Sequence, residues 1–349
     1  VKRRITASKR WLILLSLAGA VLVLMLGTGI GSVFVAPGDI LAILARHLFG
    51  TPLPQGISGI TDSLVWRMRL PRVLLAFVVG AGLGASGTVM QSVLRNPLAS
   101  SYTLGVSAGA ALGAGIVMVT GFTLPLLGAF TLPLVGLISG MVTVFLAEGF
   151  ASRMDRGFSN NTIILAGMVF ALFINAMLTL LASVNKEHMQ RIALWQMGSF
   201  ALKEWSHIGI LAPVTLAGIL WLRLQARELD MIVFGEEQAQ TMGVSVRRVK
   251  WLLLGVSAAL TGSAVAFSGI IGFIDLIAPH VTRKLFGASH RLVVPLSALF
   301  GGTFMVVADL LARTLVSPGE LQVGTVTAVI GAPFFAWVYF RRSRKGGAA

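Results

Sequence analysis

Apolar runs of bilayer length recur along the chain near residues 11–33, 73–92, 103–120, 124–148, 161–183, 207–222, 251–268, 291–316 and 321–340. Each is long enough to cross a hydrocarbon core as a helix. One further segment, GIIGFIDLIAP (269–279), is apolar but too short to cross as a straight helix, and Gly269, Gly272 and Pro279 bound it. A half-length piece is tolerated at membrane depth only where protein buries it or where it lines a cavity. Counted as a span, it brings the total to ten. The expected fold class is therefore all-α: a polytopic membrane protein of about ten transmembrane helices, one of them short and broken.

Composition agrees. Hydrophobic residues make up 56% of the 349 and charged residues only 12%, with a mean hydropathy of +0.86. Water could not solvate such a chain as a soluble domain. The formal charge of +15 does not point to nucleic acid, because the basic residues lie between apolar runs rather than on one hydrophilic face. No cysteine is present, so disulfides and thiolate metal sites are excluded. The histidines (His47, His188, His207, His280 and His290) lack metal-ligand spacing and read as polar residues at helix ends. The start, VKRRITASKR followed by WLILLSLAGAVLVLMLGTGI, is too long in its apolar part for a signal peptide and suits a first span.

Charge then sets orientation. Ten spans place both ends on one side, and with those ends inside, twenty of the 28 Lys and Arg fall in cytoplasmic segments and eight outside. That is the expected bias. The outer eight include Arg67, Arg69 and Arg72, packed together in WRMRLPR, and Arg313. A faint internal repeat aligns GAGLGASGTV (80–89) with GVSAALTGSA (255–264) at an offset of 175, pairing Gly80 with Gly255, Ser86 with Thr261 and Gly87 with Gly262. The first copy begins outside and the second inside, as an inverted repeat requires. One permease-like domain (1–349) with halves of about 11–205 and 206–340 is the simplest organisation.

The chemistry is sparse. No Walker-type phosphate loop, nucleophile–base pair or carboxylate pair occurs. Ionisable residues within or near spans are Glu148, Asp275, His280, Asp309 and Glu320. Asp275, in the broken segment, is the best candidate for an ion-coupled carboxylate; its alternative is a side chain bonding the freed backbone of the break, and we favour the latter. The loop 223–250 contains GEEQAQTMGV, which reads as a short amphipathic helix from Glu236 to Met242, stopped by Gly243. It is either a solvated connector or a handle for a soluble partner.

Several stretches together resemble the FecCD family of permease subunits from bacterial ABC importers for iron–siderophore complexes, haem and vitamin B12. They are RLPRVLLAFVVGAGLGASGTVMQSVLRNPLASSYTLGVSAGA, TIILAGM, WQMGSF, GEEQAQTMGV, GFIDLIAPHVTRKLFGASHR and ADLLARTLVSPGELQVGTVTAVIGAPFFAWV, in family order from Leu70 to Trp337. The resemblance implies a subunit without ATP chemistry of its own, in a bacterial cytoplasmic (inner) membrane with both termini inside. It also implies a second permease (identical or paralogous), two cytoplasmic ATPase subunits that hold ATP and Mg, an extracytoplasmic substrate-binding protein and an iron–siderophore-type cargo. No cofactor or metal is expected on this chain. Gly235, Glu236, Glu237, Gln238, Ala239, Met242 and Gly243 become the ATPase coupling helix. Asn96, Leu98, Asn160 and Asn161 match a cytoplasmic gate, while Gly167 and Asn175 of span five fall on the pathway. Arg69, Arg72 and Arg313 match outer arginines that meet acidic residues of the binding protein, an alternative to anchoring at lipid headgroups. Asp275 stands where the family often has glycine. The rival reading is a stand-alone secondary transporter or channel; a membrane-embedded enzyme lacks any catalytic constellation.

Overall fold

The computed structural model describes residues 7–155 and 157–346. In chain order the helices are α1 (Ala7–Gly29), α2 (Pro37–Phe49), α3 (Gly59–Ser63), α4 (Leu70–Val93), α5 (Val106–Thr120), α6 (Thr131–Met154), α7 (Asn160–Val184) and α8 (Lys186–Gln196). There follow α9 (Trp205–Leu224), α10 (Ala226–Phe234), α11 (Glu236–Thr241), α12 (Val246–Ser268), α13 (Ile274–Phe286), α14 (His290–Thr314) and α15 (Val323–Gly346). Among the described residues, seven helices are long and apolar enough to span a membrane, and Val106–Thr120 and Val323–Trp337 are shorter apolar helices. The chain is a multi-pass membrane protein. A count of ten spans needs both shorter helices and α13 as well.

The bundle is built around α4. Its apolar window is 83% buried and that of α12 72%, against 22% for α7 and 17% for α9, which form the outside. The reason is small side chains. A Cβ on Gly80 would run into the Gly301 carbonyl, one on Gly84 into that of Ser297, and one on Gly87 into that of Asp275. Backbones of α13 and α14 thereby approach α4 closely, as membrane helices do where dispersion rather than hydrophobicity drives association.

Two pairs of residues 175 positions apart are in contact. Ser86 Oγ lies 2.8 Å from Thr261 Oγ1, where α4 crosses α12, and donates to Ser257 O at 2.9 Å. Ser100 Oγ bonds the Asp275 carboxylate, a second pair 175 apart.

Two expectations are corrected. The apolar run at 124–148 forms α6 only from Thr131: Gly121 adopts a left-handed φ of 65° and Pro125 follows, so residues 121–130 make turns instead. The broken segment is not stopped by Pro279; residues 269–273 are the break, and α13 runs through Pro279 to Phe286. The stretches before α4 and α9 also hold helices: α2 buries Ile40 and Ile43 and α8 buries Ile192.

Candidate functional site

Arg69, Arg72 and Arg313 do meet at one end of the bundle, but they face inward. Leu64–Arg69 is a π turn whose register slips because Pro71 offers no N–H to the preceding turn. The slip turns Arg67 outward and Arg69 inward. Arg69 is buried and donates to the carbonyls of Thr28 (3.2 Å), Gly29 (3.0 Å) and Val33 (2.6 Å). Arg313 donates to the Gly27 carbonyl. Between them they cap the C-terminus of α1, whose last carbonyls have no helical donor and carry the negative end of the dipole. Arg72 grips Asp309 from Nε (3.0 Å) and Nη2 (2.8 Å) and reaches Glu320 from Nη1 at 2.8 Å. Asp309 is 1% exposed and Glu320 43%. Internal acceptors thus engage all three guanidinium groups, and Arg69 is a capping residue.

At the opposite end, α10 and α11 stand out from the bundle. The short helix predicted over 236–242 is observed as Glu236–Thr241 with Met242 at its C-cap and Gly243 at φ 87°. Ala239 is buried beneath it, while Glu237, Gln238, Met242 and Gly243 are exposed; Gly235 is a buried hinge between α10 and α11. Phe234 and Met242 remain 83% and 63% exposed, an unusual display of apolar surface on a polar loop.

Both turns matched to a gate are bonded to this loop. In the RNPL turn, the Leu98 N–H is held by Asn96 Oδ1 at 2.9 Å, Leu98 is exposed, and Arg95 donates to Ile232 O of α10 at 2.7 Å. In the turn before α7, Asn160 Oδ1 accepts from Lys250 Nζ at 2.8 Å, while Asn161 is exposed. The Asp155 carboxylate organises that turn, accepting from the N–H groups of Gly157 (2.8 Å) and Ser159 (3.0 Å) and from Thr162 Oγ1 (3.1 Å). Those bonds hold its pKa well below the usual carboxylate range.

On α7, Asn175 is exposed among Leu172, Phe173 and Met177. Gly167 is buried, and a Cβ there would run into the Thr103–Leu104 backbone, so this position packs closely. Asp275 is buried beside Ser100, at the N-terminal turn of α13 where backbone N–H groups lack helical acceptors. Both oxygens of Glu148, on α6, are buried with no hydrogen-bond partner among the described residues.

A polar chain that sequence reasoning missed links the break to α10. Gln91 Nε2 donates to the Asp275 carbonyl at 3.3 Å, and Arg283 donates to Gln91 Oε1 and to Ser92 Oγ, the latter at 3.0 Å. Ser92 Oγ lies 2.6 Å from His290 Nε2, and His290 Nδ1 lies 2.5 Å from Asp230. Its signal in the sequence was the adjacent polar pair Gln91 and Ser92 near the end of a largely apolar helix.

The chain matches the model of the FecCD transport family over residues 14–341. It is 39% identical to the hemin transport system permease protein HmuU of Yersinia pestis, over 82% of this chain and 87% of that one. It is 36% identical to the cobalamin import system permease protein BtuC of Halobacterium salinarum, over 85% and 78%. Among solved structures, a chain described as an inward-facing conformation of a metal-chelate type ABC transporter superposes with a TM-score of 0.83 at 30% identity, covering 95% of this chain and 99% of that one. Taken with an all-helical bundle and a loop that carries no ATP-binding motif, these likenesses identify the chain as a member of the FecCD family, a permease subunit of an ABC importer whose ATPase is a separate polypeptide.

Proposed function

We propose that this chain is a single permease domain of two inverted halves, forming one side of a pathway that carries an iron–siderophore complex, or a related metal chelate, into the cell. The observation that carries the coupling part of this reading is the α10–α11 projection, with exposed Phe234 and Met242, in which α10 is tied to the RNPL turn through Arg95 and α11 to the turn before α7 through Lys250. A soluble ATPase seated there would hold ATP and Mg; this chain needs no cofactor. The second permease, a further copy or a paralogue, would lie along α7, whose exposed Leu172, Phe173 and Met177 surround Asn175. The termini would be cytoplasmic, by the charge bias. The cargo reading rests on relatives named for haemin and cobalamin and a structural neighbour described as metal-chelate type; iron–siderophore is the narrower member of that class.

A binding protein would approach the end that holds Arg72. Docking there requires exchange of an internal carboxylate for one on the partner, and Glu320 is the half-exposed candidate. The test is uptake by proteoliposomes holding the permease, its ATPase and its binding protein, offered radiolabelled ferric siderophores, haemin and cobalamin in turn. ATP-dependent uptake of a ferric siderophore alone is the expected result. Uptake of haemin or cobalamin instead would replace the narrower cargo, and uptake without the ATPase would replace the mechanism.

A further inference from the structure

The ammonium of Lys250 joins three segments that are distant in sequence. Lys250 lies on α12, one turn from its start, and its side chain is 1% exposed. Its three N–H donors are all engaged: Phe158 O at 2.8 Å, Asn160 Oδ1 at 2.8 Å, and the Glu236 carboxylate at 3.1 and 3.3 Å. Phe158 holds a left-handed φ of 50°. Its ring stacks on Trp251 at 5.9 Å, with the ammonium 5.6 Å from its centroid. Thus one cation bonds α11 through Glu236, the turn before α7 through Phe158 and Asn160, and α12 through its own backbone.

Packing alone does not call for a cation at this position. Val246, Leu253, Leu254 and Ser257 share its buried face, and an apolar side chain there would avoid the penalty of burying an ammonium. What the ammonium supplies is linkage. Glu236 is its one bonded counter-charge, and it lies on the part of the loop that projects from the bundle. Drawing Glu236 away leaves a buried charge without compensation, so the ammonium must follow it or the contact must hold. Asn160 and Phe158, bonded to the same ammonium, are displaced with it.

We propose that Lys250 is the positioning residue that transmits movement of α11 to the turn ahead of α7, and so sets whether ATP hydrolysis is productive. The proposal rests on the reading of α11 as the coupling helix. It extends that reading to a buried residue that need not touch ATPase or cargo.

The test uses the assembled complex of permease, ATPase and binding protein in proteoliposomes, reading ATP hydrolysed per substrate imported. K250M keeps the apolar stem and removes every donor. ATPase subunits are expected to co-purify with it, while uptake falls at least tenfold and ATP consumed per substrate rises by a similar factor. A packing defect would lower uptake and hydrolysis together and leave that ratio unmoved, which would overturn the proposal.

A mutant cycle tests the linkage itself. Glu236 and Asn160 bond the same ammonium, so E236Q and N160A in the parent should together cost no more than the worse single change. In the K250M background neither should alter uptake by more than twofold. If the two effects simply multiply in the parent, the proposal falls, and this arm decides even where K250M does not accumulate. Met242→Pro separates the proposal from its foundation. Normal ATPase stimulation in that variant removes the coupling reading and the proposal with it. Uncoupling by Met242→Pro with a normal ratio in K250M removes the proposal alone.

Discussion

Gln91 Nε2 donates to the carbonyl oxygen of Asp275 at 3.3 Å, the acceptor that Pro279, four residues on and without an N–H, leaves unserved inside α13. A proline within a helix at membrane depth is tolerable when a neighbour replaces the lost donor. Here the neighbour is α4, brought close by Gly87. Gln91→Leu should therefore destabilise the permease by about 1–3 kcal/mol, read as a lower unfolding midpoint in detergent. Pro279→Ala restores an N–H beneath the same carbonyl, so Gln91→Leu should cost measurably less in that background. An equal cost in both backgrounds would show that the glutamine acts through Arg283 instead.

The helix α11, proposed to couple to the ATPase, closes with the Met242 N–H on Gln238 O at 3.2 Å, the Gly243 N–H on Gln240 O at 2.9 Å and the Val244 N–H on Ala239 O at 3.0 Å. Met242→Pro deletes the first of these donors and leaves α10 and the buried Ala239 contact in place. Uptake should fall to background while the permease still reaches the membrane in normal amounts. Retention of transport by a well-expressed variant would mean that α11 is a solvated connector.

At the other end, stability and docking make opposite demands on the same arginine. Asp309→Ala strips the buried partner from Arg72, and loss of one member of such a pair costs about 3–5 kcal/mol; thermal unfolding should report it. Glu320→Gln removes only the half-exposed partner. If the binding protein supplies a carboxylate to Arg72, this variant should bind it several-fold more tightly at low salt, with the gain shrinking as salt is raised. Unchanged affinity would confine Arg72 to holding α4 against α14. Arg69→Glu should fail at folding rather than at docking, since it places a carboxylate against the carbonyls of Thr28 and Gly29.

Two buried carboxylates distinguish an ATP-driven importer from an ion-coupled one. Asp275 bonds Ser100 beside the break, and Glu148 has no hydrogen-bond partner among the described residues. Asp275→Asn and Glu148→Gln should each keep at least half of parental uptake, and an ionophore added at constant ATP should leave uptake unchanged. Collapse of uptake on adding the ionophore, or on Glu148→Gln alone, would favour coupling to a proton or cation gradient.

How far the sequence leads can be judged residue by residue. Apolar runs locate the long helices because lipid and helix interior both exclude charge, and Gly243 marks the end of α11 because its backbone is left-handed there. The arginines are harder. Arg72 finds Asp309 237 positions away, and Arg69 finds main-chain carbonyls, which leave no trace in side-chain identity. Lys250 looked like one more cation in the run RRVK, yet it sits on the stripe of Val246, Leu253 and Ser257. Spacing along the helix, rather than charge, was its signal. At Gly167 the structure adds a close approach of the Thr103–Leu104 backbone that the motif glycine does not by itself announce.

The two contacts separated by 175 positions bear on which substitutions this fold tolerates. Ser86 and Thr261 share one hydrogen bond where α4 crosses α12, so the effect of a change at either depends on what stands at the other. Ser100 and Asp275 are a matched donor and acceptor of unlike chemistry. Losing the serine takes one donor from a buried acid, so the cost of a change at Asp275 depends on whether Ser100 is still there.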